Sequence, residues 1–153
     1  MAEILAIYTP YVREGTATFE IDPPSLEEMR ERRRAVVERG LPYLVAERDG
    51  GIVGYAYAGA FRPRPAYLYT VEDSVYIRPG SQRTGAGRLL LTALIEACGR
   101  AGMRQVVAAI GDSANGASIG LHASLGFRPV GTLERVGFKF GRWLDLVLMQ
   151  RDL

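Results

Sequence analysis

The chain has 153 residues, of which 48% are hydrophobic, a formal net charge of +2 at pH 7 and a single cysteine. This length suits one domain spanning residues 1–153, the small net charge argues against a nucleic-acid partner, and no apolar run reaches the ~20 residues of a membrane span. Cys98 has no partner for an intrachain disulfide, which favours a cytoplasmic protein. We expect its side chain on the buried apolar face of a helix.

The first half of the chain predicts two helices followed by strands. Ser25 and Glu28 show the capping-box spacing at the start of the second helix, which Gly40 ends. An Asp-Gly-Gly turn at 49–51 predicts a hairpin between two strands. The predicted elements are helices over 1–13 and 25–40 and strands over 43–47, 52–61 and 66–78.

The second half predicts helices alternating with strands. The apolar residues after Leu91 recur with helical spacing, and Gly102 and Gly126 follow the two helices as C-caps. The predicted elements are helices over 89–101 and 115–125 and strands over 105–110, 127–140 and 143–151. Hairpins first and a strand-helix-strand unit later predict an α/β fold with one mixed sheet and helices on both faces.

A basic glycine-bearing loop joins the strand ending near Arg78 to the following helix. It contains Arg83, Gly85, Gly87 and Arg88 and no acidic residue. Such a loop directs unpaired backbone N–H groups and the positive end of a helix dipole at one point, which suits phosphate. A Rossmann site would need a third glycine where Leu90 stands, and a P-loop would need Gly-Lys-Ser/Thr, so both nucleotide interpretations fail.

The hexapeptide at 82–87, Gln-Arg-Thr-Gly-Ala-Gly, resembles the Q/R-x-x-G-x-G/A signature of the GNAT N-acetyltransferases. The segment 115–127, ending Leu-Gly-Phe, is similar to a later helix of that family. The blocks 16–20, 62–67, 70–77 and 137–145 resemble the subgroup that acetylates phosphinothricin and methionine sulfoximine. Together these matches cover nearly the whole chain.

The resemblance implies the GNAT fold, acetyl-CoA as cosubstrate, no metal, and a homodimer. Family members usually begin with a strand, whereas this sequence opens at a helix, so we expect a sheet without that first strand. The positions that the resemblance assigns to acetyl-CoA are Val75, Tyr76, Ile77, Gln82, Arg83, Thr84, Gly85, Ala86, Gly87, Arg88, Asn115 and Ser118.

Glu72 is the candidate general base for the amine. An α-amino group with a pKa of about 7.8 is roughly one part in seven neutral at pH 7, so a modest base suffices. Burial in a strand would raise the pKa of the Glu72 carboxyl toward a useful value. The alternative is a solvent-facing strand residue paired with an arginine.

His122 is the sole histidine, and it stands where much of the family has a tyrosine that protonates the departing thiolate. An imidazole can do the same near pH 7. A structural histidine on a helix is the alternative.

Arg62 and Arg64 lie in a proline-stiffened loop, and a guanidinium matches a carboxylate bidentately, so one of them is expected to bind the substrate carboxylate. The sequence does not distinguish the two. By resemblance, the other candidate substrate contacts are Phe19, Glu20, Tyr67, Asp73, Ser74 and Lys139.

Three functions stay open at this point. The first is acetylation of the α-amine of a small amino-acid analogue such as phosphinothricin, methionine sulfoximine or methionine sulfone. The second is acetylation of a polyamine or a protein N-terminus, although a polyamine would call for an acidic pocket rather than two arginines. The third is a CoA-binding module without turnover.

Overall fold

A computed structural model describes all 153 residues. Its elements in chain order are α1 (Ala2–Arg13), α2 (Leu26–Glu38), β1 (Tyr43–Arg48), β2 (Gly51–Ala60), a 3₁₀ turn (Pro65–Tyr67), β3 (Thr70–Ile77), α3 (Ala86–Arg100), β4 (Gln105–Gly111), α4 (Gly116–Ser124), β5 (Arg128–Lys139) and β6 (Arg142–Asp152).

The six strands form one mixed sheet in the order β1-β2-β3-β4-β6-β5. Only β3 and β4 run parallel, and α3 makes the crossover between them, as a parallel connection requires. The other neighbours pair antiparallel. The predicted α/β mixed sheet is confirmed.

Side-chain alternation along β2 separates two layers of core. Tyr55 belongs to a cluster with α1 and α2, whereas Ala56 and Ala58 belong to the cluster with α3. All three side chains are buried. The small alanines let α3 lie close to the sheet, and the helices therefore cover both faces, as predicted.

Two predicted boundaries are wrong next to the loops that flank β3. The strand expected from residue 66 begins at Thr70, because Pro65 starts a 3₁₀ turn closed by the Tyr67 N–H and the Arg64 carbonyl. The helix expected from Leu89 begins at Ala86, directly after Gly85. The helix N-terminus therefore lies inside the glycine loop rather than beyond it.

The local turn chemistry is as predicted. Ser25 and Glu28 form both hydrogen bonds of a capping box. Asp49 and Gly50 have φ values of 51° and 77°, which is the left-handed pair that a two-residue hairpin turn needs. The long C-terminal strand β5 is interrupted by a bulge between Leu133 and Gly137.

The first element of the described chain is α1. None of the helices combines the length and the apolar character required to cross a membrane.

Candidate active site

Strands β3 and β4 separate partway along their length. Their pairing runs from Thr70 opposite Gln105 to Asp73 opposite Ala108 and then stops, although both strands continue. The Arg78 N–H donates to the Val53 carbonyl in β2. Because the direction of backbone groups alternates along a strand, the N–H groups of Val75 and Ile77 face the gap.

The gap opens into a cleft of about 810 Å³ that is lined from both faces of the sheet. Glu72 and Ser74 line it from the face that carries α1, and Asp73 and His122 from the face that carries α3 and α4. Most of the predicted cofactor positions also line it, namely Val75, Tyr76, Ile77, Gln82, Arg83, Gly85, Gly87, Arg88, Asn115 and Ser118.

The loop at 82–88 presents unpaired backbone donors to this cleft. Arg83 and Gly85 both have positive φ, at 59° and 87°. None of the N–H groups from Gln82 to Arg88 donates to a protein acceptor, and the N-cap of α3 has no side-chain hydrogen bond. An L side chain is strained at the φ of Gly85, so glycine suits this turn.

Side chains around the loop hold its shape. The Gln82 Oε1 accepts from the Gly80 N–H at 2.8 Å, and the Thr84 hydroxyl donates to the Ser81 carbonyl at 2.8 Å. Thr84 and Ala86 do not line the cleft. The Arg88 guanidinium donates to the Ser124 hydroxyl at 3.0 Å, which places a positive charge between α3 and α4.

Glu72 lines the cleft without an ion pair or a hydrogen bond of its side chain to the protein. Burial raises the pKa of its carboxyl, the charge of Asp73 raises it further, and Arg62 opposes both effects. The alternative of a strand residue paired with an arginine is therefore not what the structure contains. A carboxylate that is free, partly buried and of raised pKa is suited to accept a proton.

His122 is buried and bonded through both ring nitrogens. Nδ1 lies 2.7 Å from the Ser118 carbonyl oxygen, and Nε2 lies 2.9 Å from Oδ2 of Asp73. Burial lowers the pKa of the imidazole, but the hydrogen bond and charge of Asp73, with the Ser118 carbonyl, outweigh it and raise the pKa.

Residues 16–20 form one wall of the cleft and pack closely against two glycines of the sheet. A Cβ built on Gly137 would lie 2.5 Å from the Phe19 ring, and one on Gly111 would lie 2.4 Å from the Thr16 carbonyl oxygen. These glycines let the loop approach the sheet and fix Phe19 in the wall. Glu20 also lines the cleft, where Arg32 of α2 holds its carboxylate at 2.6 Å.

Lys139 has a different role from the predicted one. Its ammonium donates to the carbonyls of Gly15 at 2.8 Å, Thr18 at 2.9 Å and Tyr11 at 3.4 Å. Because an ammonium has three donors, none is left for a substrate, and the side chain is absent from the cleft lining. Lys139 ties down the backbone of the wall.

Three further predicted substrate residues, Arg62, Arg64 and Tyr67, lie outside the cleft of the single chain. All three are exposed. Arg62 is nevertheless close enough to lower the pKa of Glu72.

Tyrosines in the lining escaped the sequence analysis. Tyr8, Tyr11 and Tyr57 all line the cleft. The Tyr11 hydroxyl donates to the Ile77 carbonyl at 2.5 Å, and the Tyr8 and Thr18 hydroxyls are hydrogen-bonded at 2.9 Å. The available signal was the placement of residues 8 and 11 on one face of the helix predicted over 1–13.

The site thus combines two parallel strands that separate partway along their length with a helix N-terminus that has no side-chain cap. A comparison with protein families matches residues 1–148 to the acetyltransferase (GNAT) domain. The chain belongs to the GNAT family and is an acetyltransferase.

Two curated relatives are named for small amino-acid-like substrates. It is 58% identical over 150 residues to phosphinothricin N-acetyltransferase from Alcaligenes faecalis, covering 98% of this chain and 76% of that protein. It is 45% identical over 151 residues to the L-methionine sulfoximine/L-methionine sulfone acetyltransferase of Pseudomonas paraeruginosa, covering 98% and 87%.

A solved structure has the same fold. It is a GNAT phosphinothricin acetyltransferase from Sinorhizobium meliloti in complex with acetyl-CoA, with a TM-score of 0.96 and 45% identity over 99% of this chain and 82% of that one. The resemblance drawn from the sequence motifs is confirmed.

Proposed function

We propose that this protein transfers the acetyl group of acetyl-CoA to the α-amino group of a small amino-acid analogue of the phosphinothricin, methionine sulfoximine or methionine sulfone type. The observation that carries the proposal is the gap between β3 and β4, which joins the free amides of the loop at 82–88 to the unpaired carboxylate of Glu72. The names of the relatives support the same substrate class.

The loop amides and the guanidinium groups of Arg83 and Arg88 would hold the pyrophosphate of acetyl-CoA. Charge-assisted hydrogen bonds contribute roughly 1.5 to 3 kcal/mol each, so several together fix the cosubstrate. Asn115 and Ser118, at the start of α4, line the path from the loop toward the centre of the cleft.

Bound acetyl-CoA supplies the thioester and the thiolate leaving group. The N–H groups of Val75 and Ile77 face the gap and would polarise the thioester carbonyl, a role in which one donor is worth about 10² to 10³ in rate. Glu72 takes the proton of the attacking amine, directly or through a water. His122 is the candidate proton source for the thiolate, and it would exchange its Nε2 bond to Asp73 for one to the sulfur at that step.

Arg62 or Arg64 would bind the carboxylate of the substrate. Both are exposed at the edge of a proline-rich loop, and the charge of Arg62 reaches Glu72. Closure of that loop, or its position in an oligomer, would bring a guanidinium to the substrate.

A homodimer would also cover an apolar surface that the single chain leaves open. Phe138 and Trp143 are 56% and 61% exposed, and their rings are 5.0 Å apart on the hairpin of β5 and β6. Val136 and Phe140 extend this surface. We expect two copies to meet here, in a cytoplasmic protein.

The deciding experiment measures thiol release from acetyl-CoA with a panel of amino acids, phosphinothricin, methionine sulfoximine, methionine sulfone, a polyamine and an N-terminal peptide. Turnover with the amino-acid analogues and little with the polyamine or peptide supports the proposal. Background rates with every analogue refute it, and calorimetric binding of acetyl-CoA without transfer to any amine would identify a binding module instead.

A further inference from the structure

The hydrogen bonds of His122 show which ring nitrogen carries at least one of its protons. The Ser118 carbonyl oxygen can only accept, so Nδ1 of the ring carries a hydrogen. A second hydrogen on Nε2 makes the ring an imidazolium bonded to the Asp73 carboxylate. The alternative at the same 2.9 Å distance is a neutral pair, in which the Asp73 carboxyl carries the proton and donates it to Nε2.

Asp73 depends on His122 in turn. Its side chain is 2% exposed, its other oxygen, Oδ1, is buried without any hydrogen-bond partner, and it forms no second ion pair. The Nε2 hydrogen of the imidazolium is therefore the single donor that compensates a buried carboxylate. A buried charge without such a partner is strongly unfavourable.

Few charged groups lie near the pair, and the one from β6 is Arg151, which donates to the Leu125 carbonyl at the end of α4. No other residue of α4 and no residue of β4 is titratable. From α3, the Cys98 thiol has its pKa raised to about 12 by burial and by Asp73, and Arg88 is bonded to Ser124. Glu72 points to the opposite face of β3, and the Phe127 ring packs edge-on against the imidazole, with ring centroids 4.9 Å apart.

The pair also lies where the gap begins. Asp73 is the last residue of β3 that pairs with β4, opposite Ala108. The bond from Asp73 to His122 therefore attaches α4 to the sheet at the base of the gap, beside the unpaired amide of Val75.

We propose that Asp73 is a positioning residue that orients His122 and keeps its ring doubly protonated at the base of the gap. The proposed charge state rests on the buried contact between the two side chains and on the lack of any other donor to Asp73. Its catalytic meaning rests on the proposed function, because a group that protonates a thiolate must hold a proton when the thiolate leaves.

The single histidine makes the charge state directly measurable, since imidazole NMR resonances report on His122 alone. We expect a titration midpoint above the ordinary value of about 6.5 in the natural chain. In Asp73→Asn the midpoint should fall by roughly one unit or more, because burial then acts without the opposing carboxylate. The asparagine N–H can still donate to Nε2, which preserves the contact.

The matched control is Asp152→Asn, which removes an exposed carboxylate bonded to the Gln105 amide. It should leave the midpoint unchanged. An unchanged midpoint in Asp73→Asn overturns the proposal. So does a midpoint below about 6.5 in the natural chain, which needs no variant to fold.

Activity separates this proposal from the proposed function. If His122 donates the proton, the alkaline limb of the kcat profile moves to lower pH in Asp73→Asn by the shift seen in the NMR titration. A shifted titration with an unmoved alkaline limb supports Asp73 as the residue that sets the charge of His122 and refutes proton donation by His122. A purely structural Asp73 would change the KM for acetyl-CoA or the melting temperature and move neither titration.

Discussion

Glu72 and Asp73 are adjacent carboxylates with opposite surroundings. Strand alternation sends Glu72 into the open part of the cleft, where it has no partner, and Asp73 into the layer under α4, where His122 holds it. Neighbours in sequence thus differ in exposure, partners and expected role. The comparison teaches that the face of the strand, rather than residue type, decides whether a carboxylate stays open to the cleft or is held by another side chain.

The largest effect is expected from the substrate-facing carboxylate. Glu72→Gln should lower kcat/KM about 10² to 10⁴ fold while leaving calorimetric binding of acetyl-CoA unchanged, because it removes the base without touching the loop at 82–88. Glu96→Gln, on the exposed surface of α3, is the control and should be silent. A fully active Glu72→Gln enzyme would rule out the base.

On the other face, the partner of Asp73 should matter most for stability. His122→Phe leaves the Asp73 carboxylate buried and unpaired, so we expect a loss of about 3 to 5 kcal/mol in the free energy of unfolding, measured by denaturant titration. Adding Asp73→Asn to His122→Phe should recover a large part of that loss. Simple additivity of the two changes would show that the residues are not coupled.

The loop at 82–88 allows a test of its backbone conformation at Gly85. Gly85→Ala places a Cβ at a φ of 87°, which should reduce stability by about 1 to 2 kcal/mol and weaken acetyl-CoA binding. Gly99→Ala is the matched control: it lies within α3, a Cβ there meets nothing within 4 Å, and a gain of about 0.5 to 1 kcal/mol is expected. Equal effects of the two changes would contradict the special geometry of the loop.

The smallest expected effect is on the pH dependence of kcat/KM, through the titration of Glu72. Because the pKa of Glu72 is raised, kcat/KM should fall as the pH drops through a midpoint above the ordinary value of about 4.3. Arg62→Met should move this acid limb to still higher pH, since Arg62 lowers the pKa. Arg64→Met should leave the limb in place, and the KM for the amino acid in each variant tells which arginine binds the carboxylate.

Much of the fold was predictable because it rests on local chemistry. The capping box at Ser25, the turn at Asp49 and Gly50, and the glycine loop at 82–87 act within a few residues of sequence. The boundary errors, at Thr70 and Ala86, fell where Pro65 starts a short turn and where Gly85 begins a helix without a side-chain cap.

The site was predictable only in part, because its decisive contacts are long-range. The hydrogen bond between Asp73 and His122 joins residues 49 positions apart, and the sequence analysis placed the two in separate roles. Lys139 was misassigned for the same reason. Its partners at Gly15 and Thr18 are backbone carbonyls more than 120 residues away, and no pattern of side chains in the sequence predicts such contacts.

The hydrogen bonds from Lys139 to the backbone of residues 15–18 affect the order in which parts of this chain can fold during synthesis. The wall that carries Phe19 is anchored by an ammonium near the end of β5 and rests on Gly137 of the same strand. During synthesis, residues 15–19 therefore cannot reach their final position until Gly137 and Lys139 have been made.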